Sequence, residues 1–208
     1  MNIKHITGLT ALLAAAAGGT PAFAAACGGA NVGTSATGDV SFQSAASDDC
    51  WVASGNAQAG PNGNPGVFSG AAFGSGTWTL LAKVDGSGAV TNSNTIPGVT
   101  FTTSFSKDSG NKSGTWGLTA APGATLDLVF AMHAGGYTGS FFFDNESVGA
   151  SGTGTWAINW VNNGGNNPDY SNLTLFARDV TPVPEPAAYG LALAGLLLAG
   201  FAARRRKA

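Results

Sequence analysis

Apolar residues recur at every second position along most of this chain, a period that suits half-buried strands and not helices. Trp78, Leu80, Ala82 and Val84 share one parity. Val99, Phe101, Thr103 and Phe105 alternate with Thr100, Thr102, Ser104 and Ser106. Leu126, Leu128, Phe130 and Met132 alternate with Asp127, Val129, Ala131 and His133. Further runs carry Tyr137, Phe141 and Phe143, then Trp156, Ile158 and Trp160, then Leu173, Leu175 and Ala177. Weaker candidates lie around Val40–Phe42, Trp51–Ala53 and Val67–Phe73. Gly, Asn, Pro and Ser clusters separate the runs at Gly60–Gly66, Asp85–Gly88, Asp108–Ser113 and Asn162–Asp169. About eight or nine short strands with such turns predict an all-β fold, a single antiparallel β-sandwich or jelly-roll-like domain.

A partial repeat sits within this pattern. Gly76-Thr77-Trp78, Gly114-Thr115-Trp116 and Gly154-Thr155-Trp156 recur at spacings of 38 and 40. One reading is a propeller or solenoid unit. The flanking residues align poorly, so the favoured reading is recurrent strand-start chemistry. In it Gly ends the turn, Thr suits the pleat and Trp fills the core.

The two ends read as addresses. Residues 1–24 have the form of a secretory signal peptide: Lys4, then an apolar run from Ile6 to Gly18, then Ala22-Phe23-Ala24. The expected cut falls between Ala24 and Ala25. A lipoprotein cut before Cys27 needs a Leu-like residue three positions earlier, where Ala24 stands. At the other end, the 17 apolar residues Ala187–Ala203 span about 25 Å as a helix, near the short limit for a bilayer. Arg204, Arg205, Arg206 and Lys207 follow and hold that end on the cytoplasmic side, so the body faces outward. Val183-Pro184-Glu185-Pro186 precedes the run as a stiff, extended peptide, because each proline lacks an N–H and pushes its predecessor out of helical geometry.

A Pro-Glu-Pro peptide, a short apolar helix and a terminal basic cluster in this order resemble the sorting signal of PEP-CTERM proteins, over residues 183–207. The resemblance implies recognition of Pro184, Glu185 and Pro186 by an exosortase, a membrane Cys protease-transpeptidase. It also implies a Gram-negative host that makes exopolysaccharide, and a precursor held in the inner membrane before passage to the cell surface or extracellular matrix. The plainer alternative is a single-pass anchor with a proline-rich stalk. Residues 126–178 also resemble a recurrent PEP-CTERM ectodomain. The carrying residues are Leu126-Asp127-Leu128-Val129, Ala134-Gly135-Gly136-Tyr137, Phe143-Asp144, Gly154-Thr155-Trp156, Asn163-Gly164-Gly165 and Leu173–Arg178. His133 stands where that pattern often has Lys. This second resemblance implies fold and export and brings no activity. The expected organisation is therefore a signal peptide at 1–24, an ectodomain at 25–180 and a sorting signal at 181–207, handled in turn by Sec, signal peptidase and exosortase.

Sorting changes the charge. The formal net charge of the whole chain is −2. Residues 25–186 keep four cations (Lys83, Lys107, Lys112, Arg178) against all 11 acids, a net of −7. Such a body does not favour nucleic acid or anionic lipid. The two cysteines, Cys27 and Cys50, both lie in it, and an oxidising compartment predicts one disulfide between them.

Catalytic chemistry is sparse. His133 is the one histidine of the exported part, and Asp127 lies six residues away on the same strand parity, roughly 20 Å along it. Asp144 with Glu146, and Asp48 with Asp49, are the closest carboxylate pairs, with no apolar pocket legible around them. The same oxygen-rich loops would suit calcium, although no EF-hand spacing is present. Trp51, Trp156 and Trp160 are candidates for stacking on sugars if exposed, and core residues if not. The sequence thus predicts a non-catalytic, exported structural or adhesive protein of the surface or exopolysaccharide layer, with no cofactor. A carbohydrate- or calcium-binding module is the second class and a secreted hydrolase the third.

Overall fold

The alternating runs pair into twelve strands among the residues that a computed structural model describes, 24–68, 73–93 and 95–183. Residues 1–23, Pro184-Glu185-Pro186, the run Ala187–Ala203 and Arg204–Lys207 lie outside them. So does most of the signal peptide reading and nearly all of the sorting signal.

Seven strands form one sheet: β1 (Gly28–Gly29), β4 (Asp49–Ser54), β10 (Tyr137–Val148), β9 (Ala124–Ala134), β12 (Tyr170–Pro182), β5 (Thr79–Val84) and β6 (Val90–Asn92), in that spatial order. A second sheet has the order β11 (Thr153–Ala157), β8 (Ser113–Ala121), β7 (Thr100–Lys107). A small hairpin joins β2 (Ser41–Phe42) to β3 (Ala45–Ala46). Neighbours are antiparallel except β1 and β4, which run parallel at the sheet edge. That exception follows from the Cys27–Cys50 bond, which draws the residues before β1 against β4 with 4.8 Å between the Cα atoms. Gly28 fits there because it has no side chain; a Cβ would lie 2.6 Å from the Trp51 ring.

The inner faces of the two large sheets share the main core. Leu128, Phe130 and Met132 of β9, Phe141 and Phe143 of β10, and Leu173 and Leu175 of β12 lie there with Trp116, Leu118 and Trp156. Trp116 of the small sheet meets Phe130 of the large one at 4.9 Å between ring centroids. The other face of the large sheet is buried too. Phe68, Phe73 and Trp78, from the long connection between β4 and β5, cover Val129, Ala131 and Phe176. This explains why β9 and β12 alternate apolar with apolar over much of their length.

Two local readings are corrected. Trp78 and Leu80 do not share a face with Ala82 and Val84. A register shift where β5 meets β12 turns Trp78 and Leu80 to the second cluster, while Ala82 and Val84 face the main core. In the weak strand candidate Val67–Phe73, Val67 ends a 3-10 turn that starts at Pro65, and residues 69–72 lie outside the described residues.

The Gly-Thr-Trp repeat resolves into a reciprocal pair plus an outlier. Across β8 and β11, Gly154 faces Trp116, Thr155 faces Thr115 and Trp156 faces Gly114. Each indole lies over the other strand's glycine. A Cβ at Gly154 would sit 2.6 Å from Trp116 Nε1, and one at Gly114 would sit 2.9 Å from Trp156 Nε1. The freed space lets Trp116 Nε1 donate to the Ser41 carbonyl at 3.0 Å and Trp156 Nε1 to the Ser106 carbonyl at 3.1 Å. Trp78 belongs to the second cluster instead, with the Arg178 guanidinium 4.5 Å from its ring centroid.

Candidate functional site

The outward residues of β7, β8 and β11 are nearly all hydroxylated, since Phe101, Trp116 and Trp156 take the inward parity. They border a groove of about 520 Å³. It is lined by Ser41, Ser44, Ser104, Ser106, Thr115, Thr153 and Thr155, with Phe105, Trp116 and Gly154. None of these carries an ionisable group. Ser41 Oγ and Thr155 Oγ1 are 2.8 Å apart, as are Ser106 Oγ and Thr115 Oγ1. A hydroxyl pair spends one O–H and one lone pair on itself. The Ser106–Thr115 pair therefore keeps one donor and three acceptor positions for a ligand. Ser44 enters from the β2–β3 turn, where Gln43 and Ser44 have φ of 50° and 70°. Left-handed backbone at two successive non-glycine residues is strained, and the turn is tied down by Gln43 N–H donating to Thr153 O at 2.8 Å and Gln43 Nε2 to Ser147 O at 2.8 Å. The sequence reading did not single out this groove. Its one visible signal is the run of Thr and Ser at alternate positions 100–106, facing away from the aromatics.

The tryptophans weighed for sugar stacking are not available for it in two of three cases. Trp156 is 1% exposed and Trp160 fully buried, because Gly139 opens room for the Trp160 ring in the main core. Trp51 is half-buried against the second cluster.

His133 and Asp127 stay apart, at opposite ends of β9. Asp127 Oδ2 accepts from Arg178 Nε at 2.8 Å and Asp127 Oδ1 from the Asn145 N–H at 3.1 Å. His133, at the other end of β9, is half-buried with Nδ1 3.2 Å from Thr138 Oγ1, and burial lowers its pKa from 6.5. Burial raises the Glu146 pKa, with a further push from the Asp48 charge. Asp48 Oδ2 accepts from the Asp144 N–H at 2.8 Å, so the two acidic loops do meet. Among the described residues, no group of three or more His, Cys, Asp or Glu side chains is placed to hold a metal ion.

At the C-terminal end, β12 stays hydrogen-bonded to β9 through Thr181↔Thr125 and Pro182↔Ala124. Val183 N–H donates to Gly123 O at 2.7 Å, and its side chain is the one large apolar group left exposed among the described residues. Val183 is the last described residue before Pro184. A comparison with protein families matches residues 182–207 to the PEP-CTERM protein-sorting motif. The chain carries that sorting motif.

A PEP-CTERM motif implies export, sorting at a membrane and processing by an exosortase. Residues 126–178, with their resemblance to a PEP-CTERM ectodomain, fall outside the match. No curated protein and no solved structure matches the chain. The Cys27–Cys50 disulfide agrees with a place outside the cytoplasm. Ala24 and Ala25 are exposed at the N-terminal edge, where the Ala25 N–H donates to Thr37 Oγ1 at 3.1 Å and Thr37 N–H to Ala25 O at 2.8 Å. Among the described residues no helix is long and apolar enough to cross a membrane, and the expected PEP-CTERM span at Ala187–Ala203 lies beyond them.

Proposed function

We propose that this chain is a non-catalytic structural or adhesive protein of the cell surface or exopolysaccharide matrix of a Gram-negative bacterium. Its ectodomain is read as a sandwich-type body spanning residues 25–180. Signal peptidase cuts between Ala24 and Ala25 after Sec export, the helix Ala187–Ala203 holds the precursor in the inner membrane, and an exosortase acts at Pro184-Glu185-Pro186. The observation that carries this reading is the match of residues 182–207 to the sorting motif, which begins at Pro182, the final residue of β12. Intact-mass analysis of protein released from the cell surface tests it. The expected mass starts at Ala25, ends near Pro186 and is two hydrogens short of the reduced chain. A surface product still ending in Arg204–Lys207 would overturn the processing step.

A further inference from the structure

We propose that the groove formed by β7, β8, β11 and the β2–β3 turn binds a neutral polysaccharide chain. Sugar hydroxyls both donate and accept hydrogen bonds, and so does each hydroxyl of Ser41, Ser104, Ser106, Thr115, Thr153 and Thr155 along the groove. The threonine methyl groups add apolar surface for the C–H faces of a sugar ring, while the Phe105 ring turns inward onto Trp156 and Tyr170. The volume, about 520 Å³, lies within the roughly 300–1,000 Å³ of small-ligand sites. Charge selects the class of polymer. The lining holds no cation to pair with a carboxylate or sulfate, and the body around it has four cations against 11 acids. An anionic polymer gains nothing in the groove and is repelled by the surrounding surface.

Two further observations favour a built site. The strained turn at Gln43 and Ser44 places Ser44 at the rim, and strain of this kind concentrates at functional positions. The reciprocal Gly-Thr-Trp pair keeps Thr115 and Thr155 side by side at the centre, because any side chain at Gly154 would strike the Ser41 carbonyl at 1.9 Å. On β8 the groove is lined by Thr115 and Trp116, roughly 17 to 20 Å along the strand from its end at Ala121. Val183, the last described residue, lies near that end, its N–H donating to Gly123 O. The ligand class follows from the groove itself; only its setting in a matrix rests on the exported reading.

The test uses the full-length chain purified in detergent and native affinity electrophoresis in gels containing dextran, laminarin, galactomannan or alginate. At least one neutral polymer is expected to retard the protein, and alginate is not. The double variant Thr115→Val/Thr155→Val keeps shape and strand preference but removes two hydroxyls, and is expected to weaken retardation at least about tenfold. Ser104→Lys, at an exposed position, is expected to weaken it as well by placing a hydrated ammonium in the groove. Thermal melts confirm that each variant is folded. Retardation by none of the neutral polymers, by alginate alone, or unchanged in both variants would overturn the proposal. So would a change in sedimentation of the variants without sugar, which would make the face a contact between copies of this chain. None of these outcomes involves exosortase, so failure here leaves the sorting reading standing.

Discussion

Gly154 shows how much one missing side chain decides. It faces the Trp116 ring across the ladder and closes on the Ser41 backbone, so Gly154→Ala forces β2 away from β11. The expected loss is about 2–3 kcal/mol, read as a fall in denaturation midpoint without a change in slope. His133 makes a second residue-scale prediction. Its folded pKa is depressed by burial below the 6.5 of a free histidine, so folding favours the neutral ring. The stability it contributes is fully present above pH 6.5 and is lost as pH falls through the folded value. Urea titrations across that window should show stability rising with pH in the native chain and a flatter profile in His133→Gln. Glu146 has the opposite sign, since burial raises its pKa from 4.5, and its contribution fades as pH rises through the folded value.

At the scale of elements, β9 and β12 carry the fold. They are the middle of the large sheet, with apolar residues on both faces, and their alternation was legible from Leu126 to Met132 and from Leu173 to Ala177. The second face also holds a buried ion pair, Asp127 with Arg178, whose guanidinium lies 4.5 Å from the Trp78 ring centroid and 5.5 Å from that of Phe142. Asp127→Ala strands a largely buried cation and is expected to cost about 3 kcal/mol, measured by chemical denaturation. Asp127 read in sequence as a polar outward residue of a half-buried strand. What hid its role was the cover, since Phe68, Phe73 and Trp78 reach β9 from a connection 49 to 59 residues upstream of Asp127. The β1–β4 edge depends on its cystine. Replacing Cys27 and Cys50 with serine opens a span of 23 residues and is expected to lower stability by roughly 3 kcal/mol on the chain-entropy estimate, with the largest gain in amide exchange at β1 and β4.

The whole molecule is a folded body with a delivery label at its end. Glu185→Ala is expected to leave full-length precursor, ending at Ala208, in the membrane fraction, with the β body still folded and oxidised. Intact mass and a free-thiol count check both halves of that outcome. The label was legible because its three parts act in order along the chain and need no tertiary contact to be recognised. The strand runs and the single cystine were legible for similar reasons: alternation is local, and two thiols allow one pairing. The groove was not. Its walls come from segments as far apart as Ser41 and Thr155, 114 residues distant, and become one surface only through strand order and register. Nor could composition say that Trp160 lies inside, or that Trp78 turns away from Ala82. A period of two states that residues alternate, while the partner on each side is chosen by packing and hydrogen bonding over the whole chain.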